Sequence, residues 1–342
     1  VIELAKQKIL IAFLTTLGVM ISTAIIGYGT WWVSNALHVG LSFPYCLVFG
    51  ALISPTDPIA VLGMLKQSKA PKALSMRITG ESLYNDGIGI VLFITLLHIA
   101  RGNVIEHEAI MWMLLREICG GIALGFITGI ITNAFLRHVQ AFHVGLLITL
   151  ASVMTSYAFA TSWHASAPIA LATSGLTIGY RLKQGSMPPV TAKALQAFWE
   201  MIDEVLNAIL FVVIGLVVLQ LRLSPEALWM AGSAIPIVLF ARLASVSIPM
   251  TLFAKLYKHN PYAIRIMTWG GLRGGVSIAL ALSLPPGPEK QLILAITYAV
   301  VLFSILIQGM TIQPLIAKSI RKSEELKQKM TNPEPQTSFN FN

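Results

Sequence analysis

Charge is scarce in this chain. Only 11% of its 342 residues are Asp, Glu, Lys or Arg, where an ordinary soluble domain carries about a quarter. That excludes a soluble globular enzyme. Cysteine is nearly absent as well: Cys46 and Cys119 are the only two, both inside apolar stretches, so no disulfide framework or zinc site follows. The first residues, V-I-E-L-A-K-Q-K, form neither a cleavable signal nor a transit peptide and begin at Val1 rather than Met, so the chain is expected to be a piece of a longer protein. The formal net charge is +9 with 55% hydrophobic residues. In a chain of that composition the position of the Lys and Arg matters more than their sum, and no nucleic-acid partner is expected.

Long hydrophobic runs take the place of charge. Crossing a hydrocarbon core takes roughly 20 helical residues. Ten apolar segments recur, at about 8–28, 41–65, 76–99, 110–135, 143–161, 165–180, 197–221, 227–254, 263–284 and 291–316. The expected fold class is therefore an all-α polytopic membrane protein, one domain over residues 1–317. Residues 318–342 turn charged and then polar, with Pro333 and Pro335, and read as a disordered cytoplasmic tail. Every second connection is basic: Lys66, Lys69, Lys72 and Arg77; Arg137 and His138; Arg181, Lys183 and Lys193; Lys255, Lys258 and Arg265; Lys318, Arg321 and Lys322. The intervening connections, such as 102–108 and 285–289, are acidic or neutral, which predicts that both ends of the chain are cytoplasmic. Gly121, Gly125 and Gly129 in the fourth segment would let another helix approach closely, as internal bundle packing or as an oligomer contact.

Against this background a few polar residues stand out. Ionisable groups at membrane depth are expensive, and by default they mark an ion site. In S-P-T-D-P, Pro58 removes a backbone donor and cannot continue a regular helix, so a break is expected with Thr56 and Asp57 at it. Such a break is tolerated where freed carbonyls are buried in protein or line a wet cavity, and transporters use it to offer backbone oxygens to a cation. On the next segment, G-E-S-L-Y-N-D, Ser82 and Asp86 share a helix face, as do Glu81 and Asn85. A carboxylate that holds either a proton or a metal cation, but not both, is already an exchanger in chemical terms. Glu81 needs a buried counter-charge, and Arg242 in L-F-A-R-L-A-S-V is the candidate.

The ninth segment carries W-G-G-L-R-G-G-V-S, whose glycine density weakens a helix and predicts a second break. Arg273 there reads either as a fixed positive charge near the crossing or as an arginine snorkelling to the cytoplasmic surface. Asp203 and Glu204 read either as a cytoplasmic funnel that concentrates cations or as a solvated helix end. His98, His138, His143 and His164 read as interfacial residues without metal spacing, a pH-sensing role being the other reading.

The set S-P-T-D-P, G-E-S-L-Y-N-D, an arginine in an apolar helix and G-G-L-R-G-G, in that order, resembles the monovalent cation/proton antiporters of the bacterial NhaP and animal NHE kind. The resemblance covers nearly the whole chain. It implies a thirteen-helix inverted-repeat fold with a dimerisation domain and a mobile core domain, of which this chain would hold helices four to thirteen, and a homodimer in a bacterial inner membrane. It implies that Asp86 alternately holds Na⁺ (or Li⁺) and a proton, by alternating access. Thr56, Asp57 and Ser82 would complete the site through a backbone carbonyl, a water-bridged carboxylate and a hydroxyl. Glu81 would pair with Arg242, and Asn85, standing where electrogenic relatives have a second aspartate, implies electroneutral exchange. No cofactor is expected beyond the transported ions. K⁺/H⁺ exchange is the alternative within the family. An intramembrane aspartyl protease using Asp57 and Asp86, and a cation channel or sensor, are the remote alternatives.

Overall fold

The computed structural model describes residues 8–67, 72–102, 107–139, 141–185, 188–218, 224–253 and 262–331. Several sequence readings, on Lys69, on 103–106, on Lys255 and Lys258, and on the chain beyond Thr331, lie outside them. Where a backbone crosses hydrocarbon, its hydrogen bonds must be made within the segment, and a helix is the form that does so. The described elements are accordingly helical: α1 Lys8–Ala36, α2 Phe43–Ile53, α3 Ile59–Gln67, α4 Lys72–Ala100, α5 His107–Leu136, α6 Phe142–Ser162, α7 Ala167–Lys183, α8 Pro189–Val218, α9 Pro225–Leu252, α10 Ala263–Trp269, α11 Gly275–Leu282, α12 Pro288–Phe303 and α13 Gly309–Thr331. Large apolar side chains such as Trp32, Phe126, Met154 and Phe240 point outward, as they do in a protein solvated by lipid. Among the described residues, six helical stretches are long and apolar enough to cross a membrane.

Two segments break where the sequence predicts it. Proline disfavours helical backbone in the residue before it: Asp57, before Pro58, leaves the helix for a β-bridge, and the helix is interrupted over 54–58, between α2 and α3. The glycine-rich stretch 270–274 does the same between α10 and α11. The two extended pieces meet as one antiparallel bridge, Asp57 N donating to Leu272 O at 2.8 Å.

Each broken helix is flanked by long ones, giving two repeats: α1, α2/α3, α4 and α9, α10/α11, α12. The buried side chains show how the repeats interlock. One apolar cluster joins Phe49 and Leu52 of α2 to Ile278 of α11 and Ile296 of α12. The other joins Val61 and Leu65 of α3 to Ile266 and Met267 of α10. The first half of one broken helix therefore sits with the second half of the other, and a polar layer separates two apolar ones. α1 packs along α9 and against α2 at the heart of this body.

Of the rest, α13 packs onto this body through Ile312 and Ile316, and helices α5 to α8 form a separate group. Here Gly121, Gly125 and Gly129 lie against α7: an added Cβ would come within 2.8 Å of Ser166 O at Gly121, 2.8 Å of Thr173 Cβ at Gly125 and 2.7 Å of Thr177 Cβ at Gly129. The small-residue stripe is thus internal packing. Other boundaries move. α1 continues past 28 to Ala36, because Thr30 and Ser34 are buried rather than marking a surface. The expected tail is helical from Lys318 to Thr331, a stretch of helix formers without glycine or proline. The last long segment is not one regular helix either, since a π turn at Ser304–Gln308 divides α12 from α13.

Candidate functional site

At the crossing four helix ends face one another: the C-termini of α2 and α10 and the N-termini of α3 and α11. The last carbonyls and first amides of a helix have no partner within it, and they carry partial negative and positive charge respectively. Buried in a membrane, each end needs a partner, and the polar residues of the sequence supply them.

Arg273 is 2% exposed and its guanidinium Nη1 donates to Ser54 O and, at 3.0 Å, to Pro55 O, the carbonyls left free where α2 stops. It does not snorkel. The glycine break directs its side chain inward, and its backbone amide is held by Ser304 Oγ of the π turn at 2.8 Å. Arg242, from α9, treats the other C-terminus in the same way. Its Nε and Nη2 donate to Met267 O at 3.2 and 3.0 Å, while its other bonds run to both carboxylate oxygens of Glu81. Glu81 is 1% exposed, so this is a buried, forked ion pair tying α4 to α9 and α10. Gln308 Nε2 adds a bond to Trp269 O at 3.0 Å.

The positive ends meet a carboxylate. Asp57 lies just before α3 and against the start of α11, where a Cβ added to Gly274 would stand 2.8 Å from its Oδ2. Two helix N-termini favour negative charge there. Beside it Asn85 Nδ2 donates to Thr56 Oγ1 at 2.8 Å, and Thr56 Oγ1 meets Ser82 Oγ at 3.3 Å. These contacts hold α4 to the break.

A cavity of about 190 Å³ opens at this point. Its walls include Thr56, Asp57 and Asp86, together with Asn207 of α8 and Ser277 of α11. Asp86 is partly buried and makes no hydrogen bond or ion pair among the described residues. It stands mid-helix on α4 and shares the cavity with Asp57, Pro58, Gly274 and Gly275 at the starts of α3 and α11. Ser82, although it shares a face with Asp86 by spacing, is 2% exposed and is not on the cavity wall, because its hydroxyl turns to Thr56. Asp203 and Glu204 are exposed and not on the wall either. Asp203 lies one turn from Asn207 on the same face of α8.

Sequence reasoning missed Asn207, Ser277, Ser304 and Gln308. A neutral polar side chain in an apolar helix carries no charge signal. The one available hint was the i, i+4 spacing of Asp203 and Asn207.

The cavity wall thus carries two carboxylates and the hydroxyls of Thr56 and Ser277, the oxygen donors that hard cations prefer. The family model described as "Sodium/hydrogen exchanger, transmembrane" matches residues 3–318. The chain belongs to this sodium/hydrogen exchanger family. It is 43% identical over 324 residues to the Na(+)/H(+) antiporter NhaP of Pseudomonas aeruginosa, a match covering 92% of this chain and 76% of that protein. It is 33% identical to the Na(+)/H(+) antiporter NhaG of Bacillus atrophaeus, over 90% of this chain and 58% of that one. The chain therefore spans about three quarters of the first relative and well under two thirds of the second. Its fold matches the structure of the sodium proton antiporter MjNhaP1 from Methanocaldococcus jannaschii, with a TM-score of 0.76 at 19% identity, over 93% of this chain and 80% of that one. As an exchanger-family chain it is a multi-pass membrane transporter and not an enzyme, which removes the protease reading.

Proposed function

We propose that this chain is the transport part of a Na⁺ (or Li⁺)/H⁺ antiporter, in which Asp86 alternately binds one cation and one proton. The observation that carries the reading is the cavity at the crossing, where Asp86 makes no hydrogen bond or ion pair among the described residues while Asp57, Glu81, Arg242 and Arg273 answer the fixed charges and helix ends around it. With one carboxylate left to exchange its partner, the loaded and protonated states differ by a single swap, so exchange is electroneutral. Asp57 and Thr56 contribute to the cation, Ser82 and Asn85 position Thr56, and Asp203 draws cations toward the cavity mouth, Glu204 adding to the local negative charge. The two-repeat body moves against α5–α8 to expose the cavity to each side in turn, with α8 forming the fixed wall. The antiporter works as a homodimer in the bacterial inner membrane. Arg137, Arg181, Arg265 and Lys318 face the cytoplasm, as do both ends of the chain, and the chain after the transport domain is a cytoplasmic tail.

The test is cation-induced alkalinisation of acid-loaded proteoliposomes carrying the full-length protein, with Na⁺, Li⁺ and K⁺ added separately. Na⁺ and Li⁺ are expected to drive proton efflux independently of membrane potential, and their apparent KM is expected to rise as pH falls because a proton occupies the same carboxylate. Asp86→Asn should abolish the signal. Exchange near the wild-type rate in that variant would refute the assignment, and a response to K⁺ alone would move the reading to K⁺/H⁺ exchange.

A further inference from the structure

The cavity has two polar side chains that the reading above leaves without work. Ser277 is 1% exposed, lies on the cavity wall, and its Oγ has no hydrogen-bond partner among the described residues. A buried hydroxyl left in that state is unfavourable unless something else fills the place. Asn207 lines the same cavity and its carboxamide makes no hydrogen bond among the described residues. Of the other polar members of the wall, Thr56 is engaged with Asn85 and Ser82 and Asp57 through its backbone with Leu272, while Asp86 is the carboxylate that the exchange reading already uses. Ser277 and Asn207 are therefore free oxygens pointed into a space bounded by two carboxylates.

We propose that Ser277 Oγ and Asn207 Oδ1 are direct ligands of the transported cation, completing the oxygen shell begun by Asp86 and Asp57. This rests on the exchange reading and adds to it the groups that select the ion. Both ligands are neutral, so they strengthen cation binding without competing for the proton, and the single swap at Asp86 is preserved. They also come from different bodies. Ser277 sits on α11 and travels with the carboxylates, whereas Asn207 sits on α8, which abuts α11 where a Cβ on Gly275 would collide with Leu210. Asn207 can thus bind the ion only while the cavity faces α8 as it does here, and its bond breaks when the body moves. Ser277 binds in every state.

The experiment uses the full-length protein with Ser277→Ala, Ser277→Thr and Asn207→Ala. Two readouts are taken with NaCl, LiCl and KCl as probes: apparent KM in proteoliposomes, and cation-induced thermal stabilisation in detergent. Losing an oxygen that bonds an ion should raise the apparent KM for Na⁺ roughly tenfold in Ser277→Ala and in Asn207→Ala. The Na⁺-induced stabilisation should shrink with it, and Ser277→Thr, which keeps the hydroxyl, should restore both. A purely structural hydroxyl would change the melting temperature without cation, or the maximal rate, and leave KM and the cation-induced shift alone; that result overturns the proposal. If the wild type exchanges no cation yet is stabilised by Na⁺ in a manner lost in both alanine variants, the exchange reading falls and the ligand assignment stands. If the wild type exchanges and the variants keep its KM, the reverse holds.

Discussion

Replacing Arg242 by methionine removes one charge and strands two acceptors. Glu81 is left as a carboxylate 1% exposed, and Met267 O loses both donors at the C-terminus of α10. Breaking a buried pair by removing one partner costs about 3–5 kcal/mol, because the surviving charge is uncompensated. An orphaned buried carbonyl adds about 1–3 kcal/mol. The larger of these effects belongs to Glu81 and not to the lost attraction, so it can be separated by a second substitution. Glu81→Gln placed on top of Arg242→Met removes the stranded charge and is expected to recover at least about 2 kcal/mol, since neutral replacements of buried pairs are often tolerated. At roughly 2–4 °C per kcal/mol for a sizeable domain, Arg242→Met should melt about 10 °C below wild type in detergent and the double variant several degrees above the single one. Thermal unfolding followed by loss of the monodisperse peak measures this. Penalties that simply add in the double variant would refute the argument, for they would mean that Glu81 does not depend on Arg242 for its charge.

Three other substitutions probe separate parts of the fold. Arg273→Met should lose exchange, since it uncaps Ser54 O and Pro55 O, while Arg273→Lys keeps the charge with fewer fixed donors and should retain part of the activity; equal activity in the two would show that the cap is dispensable. Gly275→Ala should slow exchange by pushing α11 against Leu210, and Leu210→Ala added to it should restore the rate; no rescue would mean that the contact is not the obstacle. Gly125→Leu should destabilise the α5–α7 pair by about 1–3 kcal/mol as overpacking, with Ala170 O and Thr173 Cβ in the way. An unchanged melting temperature there would place α7 elsewhere.

Much of this site was legible because charge inside a membrane has few options. Glu81 must find a cation, and Arg242, deep in the apolar run L-F-A-R-L-A-S-V, was the candidate. Pro58 must end a helix, and so Asp57 lies at a break. Arg273 was not decidable in this way. Its distance from Arg265 along the chain suits a surface arginine, and only the direction taken by the backbone after Gly270 and Gly271 turns it to the α2 carbonyls. Ser82 shows the opposite failure: helical spacing put it beside Asp86, but its hydroxyl had a closer partner in Thr56. Asn207 and Ser277 belong to helices whose relation to α4 is set by tertiary packing, which one-dimensional periodicity does not encode.

The placement of charge at the crossing also accounts for which residue is free to react. Each helix end is equivalent to roughly half a charge. The two C-termini have an arginine each, and the two N-termini share Asp57. Glu81 offsets Arg242, so Arg273 and Asp57 remain as one fixed positive and one fixed negative charge set against ends of the opposite sign. Among the described residues at the crossing, Asp86 alone of these charged groups makes no hydrogen bond or ion pair, and on the exchange reading proposed above its neutralising partner comes from outside. On that reading a Na⁺ ion or a proton meets the requirement equally in charge. Substituting Asp86 with asparagine removes the requirement itself, whereas substituting Asp57 leaves two helix N-termini unanswered and should reduce stability as well as transport. A loss of thermal stability in Asp57→Asn that is absent from Asp86→Asn would separate the fixed charge from the exchanging one.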